Sequence, residues 1–160
     1  MEVTMYEKEI LETASKAIEV SKALMIRDGY LAPALIIYGS NGVITPMSIR
    51  MENEQDKNDL AELMLKIASA GGADALLLIS DSFVVATDSL RKLTILPKDH
   101  PDKAEAIMAY LHIQEETKIR YVLYMKKENG GYTFFDTPWE KQIWLKGRFG
   151  NPWIRLKNKS

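Results

Sequence analysis

Between Gly71-Gly72 and Ser80-Asp81-Ser82 lies an unbroken apolar run, Ala75 to Ile79, inside the stretch Ala73 to Ala86. An apolar run that short, bounded by turn-forming residues, reads as a strand buried on both faces. Phe83-Val84-Val85 reads as a second strand folding back beside it through a turn at Ser80-Asp81-Ser82. The remaining segments are read as helices covering this strand pair or hairpins extending it.

The chain of 160 residues is long enough to bury about 70% of its unfolded surface in one core without metal or disulfide staples. It has no cysteine, which excludes a disulfide framework, a cysteine zinc site and a thiol nucleophile. No apolar stretch approaches the roughly 20 residues of a membrane-spanning helix. The first residues lack the basic-then-apolar order of a signal peptide, so a cytoplasmic protein with no membrane partner is expected.

Taken in order, Thr4-Met5-Tyr6-Glu7 has capping-box spacing, followed by Ile10, Ala14, Ala17, Ile18, Ser21 and Met25 at helical intervals up to Asp28-Gly29. Leu31–Tyr38 and Val43–Ile49 read as strands of a hairpin turned by Asn41-Gly42, with Pro33 and Pro46 at edge or unpaired ladder positions. Asn53 caps a second helix whose buried stripe is Leu60, Leu63, Met64, Ile67 and Ala68, stopped at Gly71-Gly72. A parallel pairing of the second strand with the 75–79 strand would make this helix a right-handed crossover. Leu90–Leu96 continues as strand or irregular edge, and residues 97–102 form a proline- and aspartate-rich loop. Glu105–Ile113 and Ile119–Lys126 read as antiparallel strands around Gln114–Thr117, and Tyr132–Phe135 as a last strand after Asn129-Gly130-Gly131.

The expected fold class is α+β: a two-layer, mixed but mostly antiparallel sheet of five to seven strands, with two main helices on one face. Residues 1–136 form one domain, and residues 137–160 form a basic aromatic C-terminal segment packing on that domain or on a partner. The helix–strand–strand–helix–strands order resembles the roadblock or profilin-like arrangement. Leu76-Leu77-Leu78-Ile79-Ser80-Asp81 and Pro101-Asp102-Lys103-Ala104-Glu105-Ala106 resemble segments of a family of small bacterial and phage proteins. That resemblance covers the middle half of the chain and implies no activity.

Candidate chemistry is sparse. Asp81, Asp88 and Glu105 sit near strand ends, where carboxylates can hold Mg²⁺, but their spacing matches no metal motif. His100 falls in a loop and His112 on a strand; with Ser80 or Ser82 either would need a nearby base–nucleophile contact, and no G-x-S-x-G elbow is present. Gly39-Ser40-Asn41-Gly42 lacks the lysine of a phosphate loop, and Gly71-Gly72 precedes a strand, the reverse of a dinucleotide fingerprint. No cofactor, metal or catalytic residue is assigned.

The last segment is the anomaly. From residue 137 onward six basic residues face Glu140 alone, a balance of +5, so residues 1–136 carry −6. All three tryptophans lie there too. Lys141, Lys146, Arg148, Arg155 and Lys157 with Trp144, Phe149 and Trp153 can contact phosphates and stack on bases, as in single-strand binding. The competing reading packs Trp139, Ile143, Trp144 and Leu145 on the body or on a second copy, with a short helix at Pro138–Leu145. The leading expectation is therefore a non-enzymatic module acting through protein contacts, as a homodimer. The alternatives are nucleic-acid binding through the tail and a hydrolase using Asp81, Glu105 or His112.

Overall fold

The computed structural model describes residues 5–84, 104–142 and 148–158. Helix α1 (Met5–Asp28) buries Ile10, Ala14, Ile18, Ser21 and Met25, the three- and four-residue spacing that one helix face allows. Strands β1 (Ala34–Gly39) and β2 (Ile44–Ser48) form the hairpin. Its turn requires a positive φ at Gly42 (87°), and Asn41 Oδ1 accepts the Val43 amide at 3.0 Å. In helix α2 (Glu54–Ala70) Asn53 caps the start by accepting the Asp56 amide at 2.8 Å, and Gly71 ends it in the left-handed region at φ 80°. Strands β3 (Ala73–Val84), β4 (Ala104–Ile113), β5 (Thr117–Lys126) and β6 (Tyr132–Asp136) follow, then β7 (Glu140–Gln142) and helix α3 (Pro152–Asn158).

All strand pairs are antiparallel, in the order β2-β1-β3-β4-β5-β6, with β7 beside β6 on the same edge of β5. The sheet is α+β and open, with seven strands and three helices. Central β3 has Leu76, Leu77, Leu78 and Ile79 all essentially inaccessible. Its residues alternate between two cores: Ala75, Leu77 and Ile79 pack with α1, and Leu76 and Leu78 pack with α2 and Trp153 of α3. Helices thus cover both faces, where the sequence placed them on one; a strand apolar on both sides requires this.

Three expectations are corrected. Ser80-Asp81-Ser82 is no turn: β3 runs through it, paired with β4 from Ala75↔Ile113 to Val84↔Ala104. Those polar residues look like a turn in sequence, but the ladder to β4 uses their backbone groups, so the strand beside 75–79 is β4. Strand β2 does not neighbour β3. The inner strand β1, with Leu35 and Tyr38 fully buried, pairs antiparallel with β3, leaving exposed, Pro46-bearing β2 at the edge. Pro138 starts no helix: residues 140–142 pair with Thr117–Ile119 of β5, and Trp139 is anchored under α1 by its indole N–H to Ser15 Oγ at 3.1 Å. Val85, Leu90–Leu96, the 97–102 loop and the Thr4 end of the capping box lie outside the described residues.

A polar knot also ties α1 to the far edge of the sheet. Lys22, only 9% exposed, donates to both Asp136 oxygens at 2.8 Å, and Arg120 reaches the same carboxylate at 2.9 Å. The hydrogen bond from Lys22, with Arg120 beside it, holds the Asp136 carboxyl below the usual carboxylate range.

Candidate functional site

Where β3 passes beyond the start of α2, the sheet leaves a cleft of about 380 Å³. Its floor is the cross-strand pair Leu78 and Tyr110, continued along β3 by Ser80 and Ser82. One wall is the segment before and within the first turn of α2, with Met51, Glu52 and Lys57; another is Arg148-Phe149, just ahead of α3. The cleft therefore joins residues singled out for separate reasons: the serines after the central apolar run and part of the basic aromatic tail.

The charges around it are only partly spent. Arg148 uses one terminal nitrogen, Nη1, for both Glu54 (2.6 Å) and Asn58 (3.1 Å), and its guanidinium lies 5.3 Å from the Phe149 ring centroid. Lys57 makes only a loose pair with Glu54 at 3.8 Å. Asp81 also borders the cleft, but its carboxylate accepts the Tyr124 hydroxyl at 2.6 Å. Burial of that carboxyl end raises its pKa, against hydrogen bonds from the Tyr124 hydroxyl and the Ser82 amide. The residue as a whole stays exposed, so little energy rides on the shift.

The hydrolase candidates do not converge. Strand parity puts Asp81 and Glu105 on the α1 face with Ile79, Ile107 and Tyr124. His112 lies on the other face, stacked at 6.3 Å on Tyr110, fully buried, with Nδ1 held 2.8 Å from Thr117 Oγ1. Groups on opposite faces of a sheet cannot serve one reacting atom, so His112 cannot act together with Asp81 or Glu105. Asp88 and His100 lie outside the described residues. Among the described residues no three His, Asp or Glu side chains are grouped to hold a metal.

The tail residues have varied surroundings. Lys141 is exposed, 3.4 Å from Glu116. Trp153 is 8% exposed and packs against Leu60, Met64 and Leu76 in the α2 core, which Phe149 also borders. Arg155 donates to the Arg148 carbonyl at 2.7 Å, and Lys157 lies exposed in the last turn of α3. Trp144 and Lys146 lie outside the described residues. The residue that sequence reading missed is Asn151. Its amide nitrogen donates to the Ile113 (2.6 Å) and Glu116 (2.9 Å) carbonyls, while its oxygen caps α3 by accepting the Trp153 amide at 3.0 Å. The signal was present as Asn151-Pro152, a capping residue before a proline in the first helical position.

A second surface lies on the α2 side of β5 and β6, beyond the reach of α3. Leu123 pairs across with Phe135, and Met125 with Thr133. Met125 is 65% exposed and Phe135 50%. Among the described residues no strand pairs with the outer edge of β6.

Fold and surfaces together define an open α+β sheet protein with, among the described residues, a small cleft and an exposed apolar sheet corner. The chain belongs to the family of bacteriophage lambda protein ea47, whose match spans residues 2–143 and so ends before Arg148 and α3. No curated protein and no solved structure matches it. No described helix is long and apolar enough to cross a membrane.

Proposed function

We propose that this protein works through protein contacts, first with a second copy of itself, at the β5–β6 corner of the sheet. The observation that carries the reading is the difference between the two sheet edges. Edge strand β2 contains Pro46 and mostly exposed residues, devices that discourage pairing with another chain. Edge strand β6 (Tyr-Thr-Phe-Phe-Asp) has no proline and no lysine, and stands beside the exposed Phe135 and Met125. An unpaired edge next to an apolar face is the usual material of strand addition. Antiparallel joining of two β6 edges about a twofold axis would extend the sheet and set the two apolar corners side by side. The chain's near-neutral charge of −1 offers little opposition to self-association.

Nucleic-acid binding has weaker support, because Trp153 and Phe149 face the α2 core and Arg148 is engaged with Glu54. The test is the solution mass of the intact chain beside Phe135→Lys, which places a charge on the apolar corner. A dimer that the substitution converts to a monomer supports the proposal; a wild-type monomer, or a dimer indifferent to the change, refutes it.

A further inference from the structure

We infer that the cleft between β3 and the start of α2 binds a small amphipathic organic anion, a compound with an apolar body and one carboxylate, sulfonate or phosphate group. The reading concerns a surface apart from β6 and stands independently of self-association.

Size comes first. A volume of about 380 Å³ lies at the small end of ligand pockets, which run from roughly 300 to 1,000 Å³. The walls offer Leu78, Met51 and the Phe149 ring to an apolar body. The floor offers hydroxyls that the fold leaves unused. Ser80 is only 6% exposed, yet neither its hydroxyl nor that of Tyr110 finds a hydrogen-bond partner among the described residues. Both residues line the cleft, so a ligand oxygen over the floor would give their hydroxyls a hydrogen-bond partner.

Charge decides the sign of the ligand. The two cations at the cleft are Lys57 and Arg148, about one third exposed and each sharing the single carboxylate of Glu54. Arg148 keeps Nε and Nη2 unused among the described residues, enough for a two-point contact with an oxyanion. Of the two acids on the lining, Asp81 is turned to Tyr124 on the other face, and Glu52 is an exposed rim residue. The cleft thus sets two basic side chains, with Glu54 shared between them, beside an apolar and hydroxyl-bearing floor.

The experiment titrates the protein with 8-anilinonaphthalene-1-sulfonate and, in parallel, with its uncharged analogue N-phenyl-1-naphthylamine, following fluorescence. Saturable binding at one site per chain is expected, with the sulfonate preferred. Ser80→Phe, which fills the floor, abolishes binding of both probes while the near-ultraviolet circular dichroism stays native. Lys57→Gln weakens the sulfonate about fivefold and leaves the neutral probe unchanged, the effect of removing one partly exposed charge. Should Ser80→Phe unfold the protein, Lys57→Gln decides alone. Absence of saturable binding, equal affinity of the two probes, or loss on Phe135→Lys but not on the cleft variants overturns the inference. That last outcome would move the site to the sheet corner.

Discussion

His112 Nδ1 lies 2.8 Å from Thr117 Oγ1, and both residues are buried on the inside of the turn that joins β4 to β5. The other ring nitrogen, Nε2, has no hydrogen bond of ordinary geometry, although the nearby Phe149 backbone offsets part of the cost. Burial therefore keeps the ring neutral and lowers its pKa to about 4. An unfolded histidine titrates near 6.5, so between these values the unfolded chain binds the extra proton. Stability is complete above about pH 6.5 and falls as pH drops toward 4, with a loss of about 2 kcal/mol between pH 7 and pH 5. Asp136 and Glu54, held low by Lys22 and Arg148, lose their contribution as pH falls through and below the ordinary carboxylate range, beneath the pH 7-to-5 interval. Urea unfolding at the two pH values checks this. His112→Gln, which can still bond Thr117, should show a much flatter profile, and an unchanged slope would contradict the assignment.

Asn151 joins three elements, so its loss should exceed that of a simple helix cap. Asn151→Ala removes two donors from the 113–116 turn and the acceptor that starts α3. About 2–3 kcal/mol of destabilisation is expected. Asn151→Asp keeps the cap acceptor but turns a carboxylate toward two carbonyls, and should cost about as much. Chemical denaturation of both variants measures it; an Asp variant as stable as wild type would show that the cap alone matters.

Tyr38 is fully buried under α1, and its hydroxyl has no hydrogen-bond partner among the described residues. That burial, with Tyr6 nearby, pushes its pKa well above the ordinary range. Tyr38→Phe keeps the ring and removes the unsatisfied group, so a gain of up to about 1 kcal/mol is expected. Thermal unfolding reads this directly. A clear loss of stability would mean that the hydroxyl is bonded in the folded protein.

Where period and punctuation agreed, the sequence was legible. The Ile10-to-Met25 stripe, Asn53 and Gly71 around α2, and the Ile119–Lys126 alternation all led to elements close to those observed. Ser80-Asp81-Ser82 misled because polar residues mark a turn only when no neighbouring strand takes up their backbone groups. The pairing partner at 104–113 is far away in sequence, and no local rule reports it. The placement of β2 failed similarly, since Pro46 signals an edge but does not say which strand lies on the other side of β1. The cleft was the least legible feature. The β3 part of its floor and its Arg148-Phe149 wall are more than sixty residues apart, and only the docking of α3 through Asn151 and Trp153 brings them together.

The most direct test of the account is the solution mass of the intact protein by light scattering, measured across a dilution series beside Phe135→Lys. Self-association through the β6 edge predicts a wild-type mass of twice 18.2 kDa at high concentration and a variant at the monomer mass with an unchanged circular dichroism spectrum. A wild-type protein that stays monomeric throughout, or a variant that still dimerises, would contradict the claim that this corner of the sheet is the working surface.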